Sequence, residues 1–128
     1  MQGHTHTFTN ISNKAIGCAI EVHRHLGPGL LESAYGNCYA HEFTLQGVPF
    51  KKEFPIPVDF KGLKIDCGYR ADFLVADRLI VELKATVGIK PVHQAQLLTY
   101  MKLANVKQGL LINFNVELLK DGLYSFVL

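Results

Sequence analysis

Leu79-Ile80-Val81-Glu82-Leu83-Lys84-Ala85 reads as a β-strand that is apolar on both of its alternating faces, except for one acid and one base. Strands buried on both faces belong to sheets covered by helices, so this segment calls for packed layers on either side. Glu82 and Lys84 lie two residues apart and share a face. Unpaired charge is expensive in such a setting. The pair is therefore the point in the chain that most needs a chemical reason.

The elements around it follow from periodicity. Ile16, Ala19, Ile20 and His23 recur at helical spacing and predict a helix to about Leu26, with Asn10 or Ser12 as its cap. Gly27-Pro28-Gly29 breaks that helix, and Pro28 suits the first turn of the next one, which carries Leu31, Ala34, Tyr35, Cys38 and Leu45. Phe50 to Phe60 holds Pro55 and Pro57, which marks edge strand protected against aggregation. Lys61-Gly62 is a hairpin turn between Val58-Asp59-Phe60 and Leu63-Lys64-Ile65. Alternation from Ile65 to Val75 sets Ala71, Phe73 and Val75 on one side and Arg70, Asp72 and Leu74 on the other. Pro91 opens a helix to about Ala104 with Leu97, Leu98, Met101 and Ala104 as its buried stripe, followed by strands from Gln108 to Phe114 and from Leu123 to Leu128. The order predicts an α/β domain, a mixed sheet flanked by helices.

With 128 residues and 48% hydrophobic side chains, the expectation is one domain over residues 10–128 behind a flexible, His- and Thr-rich stretch at 1–9. The apolar content argues against disorder. No apolar run reaches the roughly 18 residues of a membrane helix, and no hydrophobic leader is visible. Cys18, Cys38 and Cys67 are odd in number and form no CxxC pair, so the expectation is buried free thiols in a reducing cytoplasm. The net charge of +2 does not announce a nucleic-acid binder. Its distribution is more informative: residues 83–116 contain Lys84, Lys90, Lys102 and Lys107 and no acid, which suits a phosphate backbone.

Asp72 precedes Glu82 by ten residues, on the strand joined to it by the short turn Ala76-Asp77-Arg78. If the two strands pair, Asp72 comes beside Glu82. Two adjacent carboxylates repel, and one takes up a proton unless a cation shares them. A hard ion such as Mg²⁺ is the natural solution, since it prefers oxygen ligands and keeps several waters. Lys84 beside it could orient or deprotonate a water, or stabilise charge building on a phosphate. Oxygen ligands plus an ammonium are the equipment of a phosphodiester hydrolase.

Asp72 followed by Glu82-Leu83-Lys84 resembles the D…(D/E)xK signature of the PD-(D/E)XK nuclease superfamily. Gly29-Leu30-Leu31-Glu32-Ser33-Ala34-Tyr35 is similar to the GxxExxY motif of a small prokaryotic family within it. The stretches Pro91 to Tyr100 and Gly109 to Asn115 resemble the same family, so the likeness runs from about Ile16 to the C-terminus. The resemblance implies a restriction-endonuclease-like core and a nuclease dependent on Mg²⁺ or Mn²⁺, acting on DNA or RNA. It implies Asp72, Glu82 and Glu32 as metal ligands, the Leu83 carbonyl as a further one, and Lys84 as the catalytic lysine. Gln96 and Tyr100 match a QxxxY arrangement and share a helix face that could approach metal or phosphate; Arg70 is a further candidate for the substrate. Arg70-Ala71 stands where the superfamily's name has proline, and Gln94 replaces an acid expected in the small family.

Simpler explanations stand beside these. Glu32 could complement a helix dipole, Glu82 and Lys84 could form an ion pair, and Arg70 could neutralise Asp72 without any metal. A zinc site is not expected, because His23 and His25 lie two apart on a helix and do not face each other, and His4 and His6 lie in the flexible start. His23 fits a satisfied core histidine, and His93 a helix start or a site residue. Tyr35 and Tyr39 suit the core. The alternative to a nuclease is a catalytically silent module of the same fold that binds nucleic acid or a partner protein. A third expectation is a purely structural domain with an ion-pair network. One active site cuts one strand, so cutting both would need a homodimer or a partner.

Overall fold

The computed structural model describes residues 9–128 together with the backbone of Gln2–Gly3. Helix α1 (Asn10–Leu26) starts at neither expected cap. Thr9 takes that place: its hydroxyl accepts the Ser12 N–H at 3.2 Å while the Ser12 hydroxyl accepts the Thr9 N–H at 2.8 Å. This reciprocal box satisfies two donors that a helix start leaves open. Of the stretch expected to be flexible, Met1 and residues 4–8 lie outside the described residues, His4 and His6 among them. The two-residue strand β1 (Gln2–Gly3) pairs in parallel with β8 (Leu123–Val127).

Helix α2 (Glu32–Leu45) begins four residues after Pro28 rather than at it, with Leu31 as its uncapped N-cap. Its buried face is Tyr35, Gly36, Tyr39 and Phe43. Leu31, Cys38 and Leu45, expected on that face, are exposed. Helix α3 (Pro91–Ala104) keeps its expected bounds and buries Leu97, Tyr100 and Met101, leaving Leu98 and Ala104 half-buried.

Strands β2 (Phe50–Pro55), β5 (Arg70–Val75), β6 (Leu79–Lys84), β7 (Gln108–Asn113) and β8 form a mixed sheet in the order β1-β8-β7-β6-β5-β2. β6 and β7 run parallel, joined through α3; the β2–β5, β5–β6 and β7–β8 pairs are antiparallel. The fold is therefore mixed α/β, as expected. β6 lies inside the sheet with every residue buried but Lys84, which is half-buried. Pro55 ends β2, the edge strand.

Two apolar layers cover the sheet. Phe73, Val75, Leu79, Val81 and Leu83 pack with Ala15, Ala19, Tyr39 and Phe43 of α1 and α2. Leu74, Ile80, Leu111 and Phe126 pack with Leu97, Tyr100 and Met101 of α3. Gly109 permits the close approach of α3, since a Cβ there would lie 2.5 Å from the Met101 Sδ and 3.2 Å from Leu97.

The hairpin β3 (Val58–Phe60) and β4 (Leu63–Ile65) forms around Lys61-Gly62 as expected, but as a separate two-stranded ribbon. The alternation read from Ile65 to Val75 is interrupted at Asp66–Tyr69. There the Asp66 carboxylate accepts the Gly68 N–H at 2.9 Å, and Gly68 turns with φ +78°. Cys18 alone is buried, and burial, reinforced by the Glu42 charge, pushes its thiol up to about 11; Cys67, like Cys38, is exposed.

Candidate active site

The Phe73–Val81 register, carried one step further, sets Asp72 opposite Glu82. Regular pairing stops there, and the two side chains take it over. The Asp72 N–H donates to Glu82 Oε1 at 2.9 Å, and the Leu83 N–H donates to Asp72 Oδ2 at 2.7 Å. Each carboxylate thus accepts a backbone donor from the opposite strand, which fixes its position. The face pattern of β5 also changes here. Phe73 and Val75 pack under α1 and α2, whereas Ala71 packs with the α3 layer. On β2, Glu53 stands across from Asp72 in the one unpaired step between Lys52–Phe73 and Phe54–Ala71, with a left-handed φ of 55°. The irregularity on both sides of Asp72 is what departs from simple alternation.

Glu82 is 5% exposed, Asp72 is half-buried, and among the described residues neither has a basic nitrogen within 4 Å. Burial first, and then the Asp72 charge, pushes the Glu82 carboxyl up to about 8. Burial also raises Asp72, against the lowering effects of the Leu83 N–H and the Lys84 charge. Arg70, which could have neutralised Asp72, instead lies exposed beside Asp66 at 3.5 Å and donates to the Tyr69 carbonyl at 2.9 Å. Nor do Glu82 and Lys84 form an ion pair within 4 Å, although the ammonium is near enough to favour ionised Glu32, Asp72 and Glu82.

Glu32 opens α2 at the rim of a cleft of about 340 Å³ shared with Asp72, Leu83, Lys52 and Glu53. It is exposed, yet desolvation against the cleft wall, and then the Asp72 charge, raises its carboxyl. The residues before it explain the spacing of the Gly29–Tyr35 motif. Gly29 turns with φ +96°. The Tyr35 hydroxyl accepts the Leu30 N–H at 3.2 Å and donates to the Gly27 carbonyl at 2.5 Å, while its ring stacks on Phe114 at 4.6 Å. The buried tyrosine therefore ties down the loop that presents Glu32. Tyr35→Phe is expected to cost about 1–2 kcal/mol, because it leaves the Gly27 carbonyl and Leu30 N–H without that partner. Urea denaturation checks this, with an unchanged midpoint as the contrary result.

On the α3 side, Tyr100 is buried, and burial, then Glu82, raises its hydroxyl. Gln96, one turn earlier, is exposed and makes no hydrogen bond among the described residues. His93 starts α3, where its Nδ1 accepts the Lys90 N–H at 3.0 Å. Burial, and next the Lys84 charge, lowers its basicity. His23 is a satisfied core histidine, its Nε2 2.7 Å from the Val116 carbonyl.

Several residues at the site carried no warning in the sequence pattern. Glu53 and Lys52 sat in a stretch read as edge strand, and Tyr69 in what looked like continuous alternation. Asn113 is buried and accepts the N–H of Thr86 and of Asn115, both at 3.1 Å, which secures the loop after Lys84. Its place in an apolar strand was the signal that marked it as a buried polar group needing partners.

The donor set fits a hard divalent ion in part. Asp72 and Glu82 are adjacent oxygen donors, one of them deeply buried and with no basic nitrogen within 4 Å among the described residues, and Mg²⁺ is commonly held by one or two carboxylates plus water. Among the described residues no three His, Cys, Asp or Glu side chains converge at ligand distance, so Glu32 stands apart from the pair. No described helix is long and apolar enough to cross a membrane.

Neither a curated protein nor a solved structure matches this chain. Residues 9–125 match the PD-(D/E)XK nuclease superfamily, a span that contains every side chain of the site. The chain belongs to the PD-(D/E)XK nuclease superfamily.

Proposed function

We propose that the protein hydrolyses phosphodiester bonds in DNA or RNA with Mg²⁺ or Mn²⁺, and that it falls in the GxxExxY branch of its superfamily. The observation that carries this reading is the Asp72–Glu82 pair: two carboxylates held together by backbone N–H groups, one almost fully buried, and neither with a basic nitrogen within 4 Å among the described residues. Burying such a pair without a cation is costly. Asp72 and Glu82 would hold the ion, with the Leu83 carbonyl beside them and Glu32 approaching directly or through water. The ion, when bound, supplies positive charge to the phosphate and a more acidic water.

Lys84 projects from the end of β6, where its carbonyl accepts the Phe114 N–H at 2.9 Å. Its ammonium orients the attacking water and stabilises charge on the phosphate oxygens. Gln96 and Arg70, both exposed, would meet the substrate. Free cysteines, two of them exposed, suit a reducing compartment, and on that ground we place the protein in the cytoplasm.

Incubation with single- and double-stranded DNA and RNA tests the reading. Cleavage is expected in Mg²⁺ or Mn²⁺ and none in EDTA; equal cleavage in EDTA would refute it. The exposed place of Glu32, apart from the carboxylate pair, favours a second reading, a silent module that binds nucleic acid or a partner protein. Salt-dependent binding without cleavage in any metal would select it.

A further inference from the structure

Tyr69 is an exposed aromatic residue that nothing in the proposed hydrolysis uses. It lies between the β3–β4 ribbon and β5, at 45% exposure, with its ring 6.2 Å from that of Tyr100 and inclined by 51°. Tyr100 in turn feels the charges of Glu82 and Asp72. The backbone under Tyr69 is fixed, because its carbonyl accepts both the Ile56 N–H and the Arg70 guanidinium at 2.9 Å. Ile56 is itself buried, so the ring stands on a rigid base. Arg70 next to it is exposed. At the ribbon's tip Phe60 is 61% exposed with the Lys61 ammonium over its ring at 5.4 Å.

An exposed tyrosine ring followed by an exposed arginine, next to the proposed hydrolytic site, suits a base that has left the stack, with the cation following the phosphate. A duplex keeps its base faces stacked and offers none to a tyrosine ring. We propose that Tyr69, backed by Tyr100, is a stacking platform for an unpaired nucleobase next to the scissile phosphate, so that the substrate is single-stranded or locally unpaired nucleic acid. This rests on the nuclease reading for the class of ligand but is tested apart from it.

The experiment measures fluorescence anisotropy of a labelled mixed-sequence oligonucleotide, single-stranded and as a blunt duplex, in Ca²⁺ to neutralise the carboxylates. Tyr69→Ala is expected to weaken single-strand binding by about 5- to 150-fold and leave duplex binding unchanged, with Tyr69→Phe restoring it. Melting curves establish that the variants fold. Equal loss on both ligands, no loss, or no single-strand binding by the unaltered protein overturns the proposal. Single-strand binding that depends on Tyr69 without cleavage in Mg²⁺ or Mn²⁺ would refute the nuclease reading and uphold the platform. Cleavage with strand preference untouched by Tyr69→Ala would do the reverse.

Discussion

Lys84→Ala is expected to lower metal-dependent phosphodiester cleavage by about 100- to 10,000-fold while leaving the fold intact. The two halves of that expectation come from different atoms. The main chain of Lys84 is tied into the sheet by its pairing with Asn113 and by the bond from the Phe114 N–H to its carbonyl. An alanine keeps all of this. The side chain is half-buried and has no carboxylate within 4 Å among the described residues. Its loss therefore breaks no ion pair that the fold depends on. What it removes is an ammonium whose charge reaches Glu32, Asp72 and Glu82 together. Lys84→Arg is expected to recover little, since a planar guanidinium cannot occupy the place of a compact ammonium. Single-turnover cleavage at saturating Mg²⁺, with a melting curve for each variant, reads both halves. Undiminished cleavage would remove Lys84 from the chemistry, and a large loss of stability would mark it as structural.

The parts of this site that could be read from sequence are those set by local rules. The apolar run Leu79–Leu83 dictates a doubly buried strand wherever it occurs, and a short turn after Val75 brings the preceding strand alongside, which juxtaposes Asp72 and Glu82. Lys61-Gly62 sets a hairpin through turn chemistry alone. What was not legible depends on neighbours distant in sequence. Ala71 changes layers because β2 is irregular at Glu53, and nothing in the spacing of β5 records the conformation of β2. Arg70 turns to Asp66 because an Asx turn at Asp66–Gly68 brings that carboxylate round, so proximity to Asp72 in sequence misleads. On α2, Leu31, Cys38 and Leu45 follow the helical period by hydropathy but lie exposed, while Phe43 completes a buried face with Tyr35 and Tyr39, the two tyrosines expected in the core, whose hydroxyls reach the Gly27 and Ala15 carbonyls. A tyrosine with a partner for its hydroxyl packs as core, whatever its polarity suggests.

In EDTA the protein's stability is expected to fall as pH rises from about 4.5 towards 8, with a slope approaching about 1.4 kcal/mol per pH unit. Glu82 dictates the sign. Its carboxyl has a value of about 8 in the folded chain against 4.5 in the unfolded one, so the folded state holds the proton more tightly. Below about 4.5 both states are protonated and the stability from this group is complete. As pH rises through the window, ionisation favours the unfolded chain alone, and above 8 the loss is finished. Asp72, also raised, adds in the same direction nearer its own ordinary value. His93 acts oppositely, since a lowered imidazole makes stability grow as pH rises through its ordinary range. Glu82→Gln isolates the carboxyl: the amide oxygen still accepts the Asp72 N–H, the charge is gone, and His93 is unaltered. Urea denaturation from pH 5 to 8 should show the slope in the parent and a nearly flat line in the variant, with the variant more stable at pH 8. Adding Mg²⁺ should raise the parent's stability at pH 8, because the ion binds the ionised pair and the folded state alone holds that pair together. The variant should gain much less. If parent and Glu82→Gln keep the same slope, Glu82 is already compensated within the fold. The physical case for a divalent ion at Asp72 and Glu82 then fails, whatever the cleavage assays show.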